Sequence, residues 1–232
     1  MFDRRAATYE SWYQTPRGQR VDRAERALLG WLMDHFHGAQ TALEVGCGTG
    51  HFTSWLARKP LRVVGLDRAP AMLAKLRERH PAIPIVCSDA HRLPFRPGAV
   101  DVLVFVATLE FVENPSAALA EAVSVSRMGL ALVVLNRWSV GGLSRRWGAQ
   151  AGQPLLGRAA DLTFPALRVA VRRAAGARLR ALDWTSTLFP DGLWMGRARI
   201  PLGDVLGMAV RLAPPPVPPL AGDGRRHDRE KG

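Results

Sequence analysis

The sequence predicts an α/β protein built on a doubly wound, mostly parallel β-sheet. Short apolar segments, such as residues 100–106, alternate along the chain with segments of helical periodicity. The first apolar segment, residues 41–45, runs directly into a glycine-rich turn at 46–50. With 232 residues, of which 47% are hydrophobic, the chain is long enough for one domain with a sizeable core.

Helical periodicity begins before the first strand, where apolar residues recur every three or four positions and Gly38 marks the helix end. These apolar residues are Val21, Ala24, Leu28, Leu32 and Phe36. Later helices are predicted over 52–57, from Pro70, over 116–125 and over 164–175, separated by strands over 41–45, 62–66, 83–87, 100–106 and 130–135. Residues 178–189 are predicted as a sixth strand. Residues 205–212 are predicted as a seventh, although Gly207 makes the pattern a poor strand.

Two segments depart from this alternation. Residues 137–160 contain glycines, a proline and little periodicity, which predicts a long connection over one sheet edge. Residues 214–232 are rich in proline and then in charge, which predicts a disordered tail. The predicted organisation is therefore a single domain over 1–213 followed by this tail.

The glycine-rich turn predicts a site for a nucleotide-type cofactor. Gly46, Gly48 and Gly50 occupy alternate positions, so the chain can take positive φ angles and bring its amides close to a ligand. A dinucleotide fingerprint needs its third glycine one place later, where this chain has His51, and a P-loop ends in Gly-Lys-Ser or Gly-Lys-Thr. The spacing therefore argues against NAD, FAD and ATP.

Acidic residues follow the next two apolar segments. Asp67 ends the second strand, at the distance downstream where a βαβ unit places a carboxylate beside a ribose. Asp89 follows the third segment and adds a polar group at the same sheet edge. Either acid could instead cap the helix that follows it, and the pattern leaves this alternative open.

Three motifs in register, at 43–50, 65–67 and 88–90, followed by 93–95 and the strand at 100–106, resemble those of class I S-adenosylmethionine-dependent methyltransferases. Within that class the chain is most similar to the type 11 or ubiquinone/menaquinone methyltransferase-like superfamily. The resemblance extends from about Tyr9 to the sixth strand. It implies a seven-stranded Rossmann-like sheet, S-adenosyl-L-methionine as the cofactor and methyl transfer as the reaction.

The resemblance also implies roles for individual residues. Amides of the turn at 46–48 meet the methionine portion of the cofactor, and Glu44 orients its ammonium group. Asp67 binds the ribose hydroxyls, Arg68 lies beside the adenine, and residues 89–90 meet the adenine edge. The complete set of expected cofactor-binding residues is Glu44, Val45, Gly46, Cys47, Gly48, Thr49, Gly50, Asp67, Arg68, Ser88, Asp89, Ala90 and Phe105.

Fewer residues are assigned to the acceptor. Similar enzymes often carry a histidine pair or a Glu-His pair after the fourth strand, whereas this chain has Phe111. Glu110 is the candidate base or acceptor ligand, although an exposed loop carboxylate is the commoner arrangement for glutamate. Residues 1–38 resemble a helical lid in which Tyr9 and Tyr13 close over the cofactor and exclude water. Packing of these aromatic rings on the first helix is an equal alternative.

Composition excludes several classes of partner. The net charge of +12 is compatible with nucleic acid, but the arginines are spread along the chain without a basic block, which argues against it. The apolar runs are shorter than a membrane span and the first residues lack a signal segment, which predicts a cytoplasmic protein. Cys47 and Cys87 are expected as reduced thiols, and the six histidines lack metal-ligand spacing, so no metal is predicted.

Three motifs of similar enzymes are missing after the fourth strand: the Pro-Pro-aromatic motif of enzymes that methylate exocyclic amines of bases, a Pro-Cys nucleophile, and the paired-glutamate loop of arginine methyltransferases. A small-molecule acceptor, methylated at oxygen or carbon, is therefore expected, with quinone-like and secondary-metabolite compounds as an inference by analogy. The oligomeric state is left open. Two alternatives remain: a catalytically silent, cofactor-binding regulatory protein, and, less favoured, an RNA methyltransferase.

Overall fold

A computed structural model describes residues 10–139, 162–189 and 197–216. Within them lie five α-helices: α1 Pro16–Met33, α2 His51–Leu56, α3 Pro70–Arg79, α4 Pro115–Val125 and α5 Phe164–Ala175. The strands are β1 Thr41–Val45, β2 Arg62–Asp67, β3 Ile85–Cys87, β4 Val100–Val106, β5 Ser126–Leu135, β6 Leu179–Thr187, β7 Arg197–Ala198 and β8 Val205–Leu212. Short 3-10 turns cover Glu10–Gln14, Leu109–Phe111 and Gly176–Arg178.

The strands form one sheet in the order β3-β2-β1-β4-β5-β8-β6-β7. Strands β1 to β5 are parallel, whereas β8 is antiparallel to both β5 and β6. The chain winds outward from β1 in both directions, so a topological switch point lies between β1 and β4, where ligands bind in open α/β sheets. The predicted doubly wound, mostly parallel fold is confirmed.

Apolar residues on the two faces of the sheet form two separate core clusters. Leu43 of β1 and Leu103 of β4 pack in the cluster that includes α4 and α5, whereas Ala42 and Val102 pack in the cluster that includes α1 and α2. This alternation follows from the two-residue period of a strand. Because both faces are covered, β4 is buried along its whole length, which explains its continuous apolar sequence.

Side-chain caps fix where three of the helices begin. The Thr15 hydroxyl accepts a hydrogen bond from the Gly18 amide (3.0 Å) at the start of α1. Asn114 and Thr163 do the same for α4 and α5. Prolines in the first turn of α1, α3, α4 and α5 need no hydrogen-bond partner there. The local sequence thus determines where these helices begin.

Several elements differ from their predicted bounds. Strand β3 begins two residues later than predicted, and β5 begins at Ser126, four residues before the predicted start, because it pairs with both β4 and β8. Residues 205–212 do form a strand, in which Gly207 makes room for α1, since a Cβ there would lie 2.5 Å from Leu28 Cδ1. The sheet has eight strands rather than seven because of the two-residue β7.

Most of the predicted connection at 137–160 and all but the first residues of the predicted tail at 214–232 lie outside the described residues. The division into a domain at 1–213 with a lid at 1–38 stays a prediction. No helix in the described part of the chain is long and apolar enough to cross a membrane. Across the same ranges, no group of three or more metal-ligating side chains comes together.

Candidate cofactor and active site

The turn that follows β1 has the backbone geometry that its glycines predict. Gly46, Gly48 and Gly50 have φ angles of 77°, 54° and 87°, in the left-handed region. A Cβ on Gly46 would lie 2.2 Å from Thr108, whereas no atom lies within 4 Å of a Cβ built on Gly48. Gly46 is therefore required by packing, and the turn leaves open space at Gly48 where a ligand can approach the backbone.

Asp67, at the end of β2, lies directly beside this turn. Its Oδ2 accepts a hydrogen bond from the Gly48 amide and its Oδ1 accepts one from the Ala69 amide, each at 2.8 Å. Burial raises the pKa of Asp67, while these two bonds oppose that shift. The carboxylate thus supports both the turn and the start of α3, and each oxygen retains a second acceptor position.

Glu44 and Thr49 are polar side chains buried at the same edge, each with 2% of its surface exposed. The Thr53 hydroxyl donates a 2.5 Å hydrogen bond to Glu44 Oε2. Burial raises the pKa of Glu44 to about 8, and the nearby carboxylate of Asp67 adds to the shift. The Thr49 hydroxyl has no hydrogen-bond partner among the described residues. Such a buried, unsatisfied hydroxyl is costly unless a ligand or water binds it.

The residues expected around adenine lie at the end of β3. Asp89 Oδ1 accepts a hydrogen bond from the His91 amide (2.9 Å), which is the main reason for the lowered pKa of Asp89. Arg68 Nη1 is 3.9 Å from Asp89 Oδ2, and both side chains are exposed. Asp89 therefore caps the turn that it begins. The sequence had left open a capping role of this kind, although for a following helix. The adenine contacts expected of Arg68, Ser88, Asp89 and Ala90 stay predictions.

Three side chains of the predicted cofactor set belong to the hydrophobic interior. Phe105 is fully buried and packs in the core cluster that also contains Val45. Cys47 packs on Leu73 and Leu76 of α3, and burial raises the pKa of its thiol far above the ordinary value. Val45 and Cys47 can therefore offer only backbone atoms to a ligand.

Glu110 corrects one expectation from the sequence. The loop position favoured an exposed carboxylate, but Glu110 is only 2% exposed. Its Oε1 accepts a hydrogen bond from the Leu135 amide at the end of β5. Glu110 therefore lies at the carboxyl edge between β4 and β5, in the half of the sheet next to the switch point.

The first described residues also reach this edge. The ring of Tyr13 stacks on the imidazole of His51, with 3.9 Å between ring centres and 13° between ring planes. His51 Nε2 is 2.6 Å from Asp22 Oδ1 of α1. Tyr9 lies outside the described residues. From the sequence, His51 served only to exclude a dinucleotide site. No local pattern around it indicates contacts with residues 29 or more positions earlier.

The sheet order, the switch point and the glycine turn beside Asp67 together define a class I methyltransferase fold. Residues 43–134 match the family model described as a methyltransferase domain. A solved S-adenosylmethionine-dependent methyltransferase from Thermotoga maritima superposes with a TM-score of 0.72 at 21% identity, over 90% of this chain and 97% of that one. This structural likeness shows the fold.

Two relatives are similar in sequence. A malonyl-[acyl-carrier protein] O-methyltransferase from Serratia marcescens is 34% identical over 128 residues, which are 55% of this chain and 48% of the relative. A demethylmenaquinone methyltransferase from Renibacterium salmoninarum is 37% identical over 95 residues, which are 41% of this chain and 40% of the relative. The chain thus spans about half the length, or less, of these curated relatives.

The methyltransferase-domain match over residues 43–134, the curated relatives and the solved structures all indicate a class I S-adenosylmethionine-dependent methyltransferase, as the sequence motifs predicted. The cofactor that this family indicates is S-adenosyl-L-methionine. The residues present fit it, because the open space at Gly48 lies beside the Asp67 carboxylate and the unsatisfied hydroxyl of Thr49.

Proposed function

We propose that this protein transfers the methyl group of S-adenosylmethionine to an oxygen or carbon atom of a small molecule. The observation that carries the proposal is the open backbone at Gly48, bonded through its amide to Asp67. The amides of Gly46 and Cys47 already donate to the Leu66 carbonyl and the amide of Gly48 to Asp67, so the turn offers side-chain-free backbone rather than free donors. Open backbone beside a carboxylate suits a cofactor that has an amino-acid end and a ribose.

The chain's own residues would divide the cofactor between them. The turn at 46–48 and the Thr49 hydroxyl would hold the methionine portion, with Glu44 oriented by Thr53 toward the ammonium group. Asp67 would use its remaining acceptor positions for the ribose hydroxyls. A positively charged ammonium beside Glu44 would favour the ionised carboxylate and so lower the pKa that burial has raised.

When bound, S-adenosylmethionine supplies a methyl group already activated by the positive charge on its sulfur. The remaining task of the protein is alignment, and positioning of this kind can supply about 7 to 11 kcal/mol of a reaction barrier. A base is needed only if the acceptor must lose a proton. Glu110, buried at the carboxyl edge, would take up that proton or bind a polar group of the acceptor.

The acceptor class is supported by the names of the relatives. One group methylates an oxygen of malonyl-[acyl-carrier protein], and another is named for demethylmenaquinone. The first name refers to a malonyl group on a carrier protein and the second to a quinone, and neither refers to a nucleic acid. We therefore propose a carboxylic acid, phenol or quinone-like acceptor.

The test is to incubate the purified chain with methyl-labelled S-adenosylmethionine and, in separate reactions, with the small-molecule, protein and RNA fractions of a bacterial extract. The proposal expects label in the small-molecule fraction, with one S-adenosylhomocysteine formed for each methyl transferred. The variant Gly46→Ala, in which the new Cβ collides with Thr108, is the matched control and should give no label. Cofactor binding without label in any fraction would contradict catalysis, and label confined to RNA would contradict the acceptor class.

A further inference from the structure

A polar cluster outside the expected cofactor contacts joins the N-terminal segment to the first residue after the glycine turn. It consists of His51, Tyr13, Asp22 and Arg26, and is called the His51 cluster below. Asp22 Oδ1 is 2.6 Å from His51 Nε2 and 2.7 Å from Arg26 Nε. The ring of Tyr13 stacks on the imidazole of His51 and also packs edge-on against Phe52, with 6.5 Å between those two ring centres.

Local packing holds Tyr13 in this position. The Thr15 hydroxyl donates to the Trp12 carbonyl (2.7 Å) and accepts from the Gly18 amide (3.0 Å), which folds the turn Glu10–Gln14 back on α1. A Cβ on Gly18 would lie 2.0 Å from the Trp12 oxygen. Gly18 is thus the residue that allows the turn to approach α1 and to present Tyr13 to His51.

The protonation of the cluster follows from its donors and acceptors. His51 Nε2 lies 2.6 Å from Asp22 Oδ1 and 3.0 Å from Arg26 Nη2, and one ring nitrogen cannot both donate to the first and accept from the second. An ionised Asp22 can only accept, so in the tautomer that donates to it His51 Nε2 carries the hydrogen and Arg26 Nη2 is a neighbouring charge rather than a hydrogen-bond partner of the ring. Burial lowers the pKa of His51, although Asp22 opposes the shift, so the ring is neutral at neutral pH. Burial alone would raise the pKa of Asp22, but the bonds from Arg26 and His51 outweigh it and lower that pKa. The cluster is therefore one ionised carboxylate with two donors.

We propose that His51 is a positioning residue that latches the N-terminal segment 10–26 beside the glycine turn and thereby sets how fast the cofactor product leaves. The proposal rests on the proposed function, because it assumes that the turn binds an adenosyl cofactor. His51 directly follows Gly50, so the contacts of Tyr13 and Asp22 with the His51 ring tie the N-terminal segment to the residue next to the glycine turn. Opening of such a segment limits turnover in many enzymes.

The experiment measures release of S-adenosylhomocysteine from the full chain by stopped-flow displacement. His51→Ala and Tyr13→Ala should each speed release about tenfold, because each removes the same stacking contact. The double variant should release no faster than about twice either single variant, since the two residues act as one unit. Tyr13→Phe keeps the ring and should stay within about twofold of the unchanged protein. Gly18→Ala should speed release without altering His51 or the glycine turn.

Controls separate the latch from folding and from the proposed function. Lys75→Ala changes an exposed ion pair on α3 and should leave release unchanged. His51→Gln, which retains a donor for Asp22 but not the ring, provides a second variant if His51→Ala does not fold. Unchanged release rates in folded variants, or effects of Tyr13 and His51 that multiply, would overturn the latch while leaving the methyltransferase proposal intact. Failure of the unchanged protein to bind S-adenosylhomocysteine would overturn both.

Discussion

Replacing Asp67 gives the sharpest test of how the site binds its cofactor. The carboxylate has two roles in the structure: it accepts hydrogen bonds from the Gly48 and Ala69 amides, and it retains positions for ribose hydroxyls. Asp67→Ala removes both. Hydrogen bonds to a charged group contribute about 1.5 to 3 kcal/mol, so cofactor affinity should fall by about 10- to 100-fold.

Asp67→Asn separates the two roles in part. Asparagine keeps one acceptor oxygen but brings an amide donor toward either the Gly48 or the Ala69 amide, so we expect a smaller loss of affinity, about 5- to 30-fold. Both variants should also lose some folding stability, Asp67→Ala more than Asp67→Asn, because the Gly48 and Ala69 amides lose an acceptor. The loss is offset in part because burial already raises the pKa of Asp67 and makes its charge costly in the free protein.

The assay is calorimetric titration of the folded full chain with S-adenosylhomocysteine, accompanied by thermal unfolding of each variant. Asp183→Asn makes the same change of charge on β6, where Asp183 pairs with Arg211 on the surface, and should leave the affinity unchanged. If Asp67→Ala binds as tightly as the unchanged protein, the ribose role is wrong and Asp67 serves only to support the turn.

Three further predictions concern other parts of the site and the fold. Gly46→Ala should abolish cofactor binding because its Cβ collides with Thr108, and normal binding by calorimetry would contradict the packing argument. Since the pKa of Glu44 is about 8, binding an ammonium group at pH 7 should release a proton, so cofactor affinity should rise from about pH 6 to 8 and level off above it. Glu44→Gln should flatten this profile, and an equally steep profile in that variant would exclude Glu44. Arg178 donates to three carbonyls, those of Val123 and Ser126 at the α4–β5 junction and that of Ala213 after β8. Arg178→Met should therefore lower the free energy of unfolding in urea by about 3 kcal/mol, whereas a change below about 0.5 kcal/mol would refute that role.

Local sequence was sufficient for the features that local chemistry determines. Strand β4 is a continuous apolar segment, α5 begins at a capping threonine and ends at Gly176, and the glycine turn needs left-handed backbone. The two acids at the ends of β2 and β3 could be placed at one sheet edge because the carboxyl ends of parallel strands meet there. These features were sufficient to predict the doubly wound fold.

Features that depend on distant partners could not be read in the same way. Residues 126–129 are poor strand formers, but Ser126 and Gly129 pair with β4 on one side and Gly129 also pairs with β8 on the other. Glu110 follows a strand like any surface carboxylate, and its buried position involves a hydrogen bond from the Leu135 amide of a neighbouring strand, 25 residues further along the chain. The contacts of His51 are with residues 25 to 38 positions earlier, a separation that no helical or strand period marks.

The most direct test of the whole account is a crystal structure of the full chain with S-adenosylhomocysteine bound. We expect the ribose hydroxyls to contact the Asp67 carboxylate and the amino-acid end to lie against the backbone of 46–48 and the Thr49 hydroxyl. A ligand bound elsewhere, or a glycine turn that stays empty in crystals saturated with the ligand, would contradict the assignment of this site.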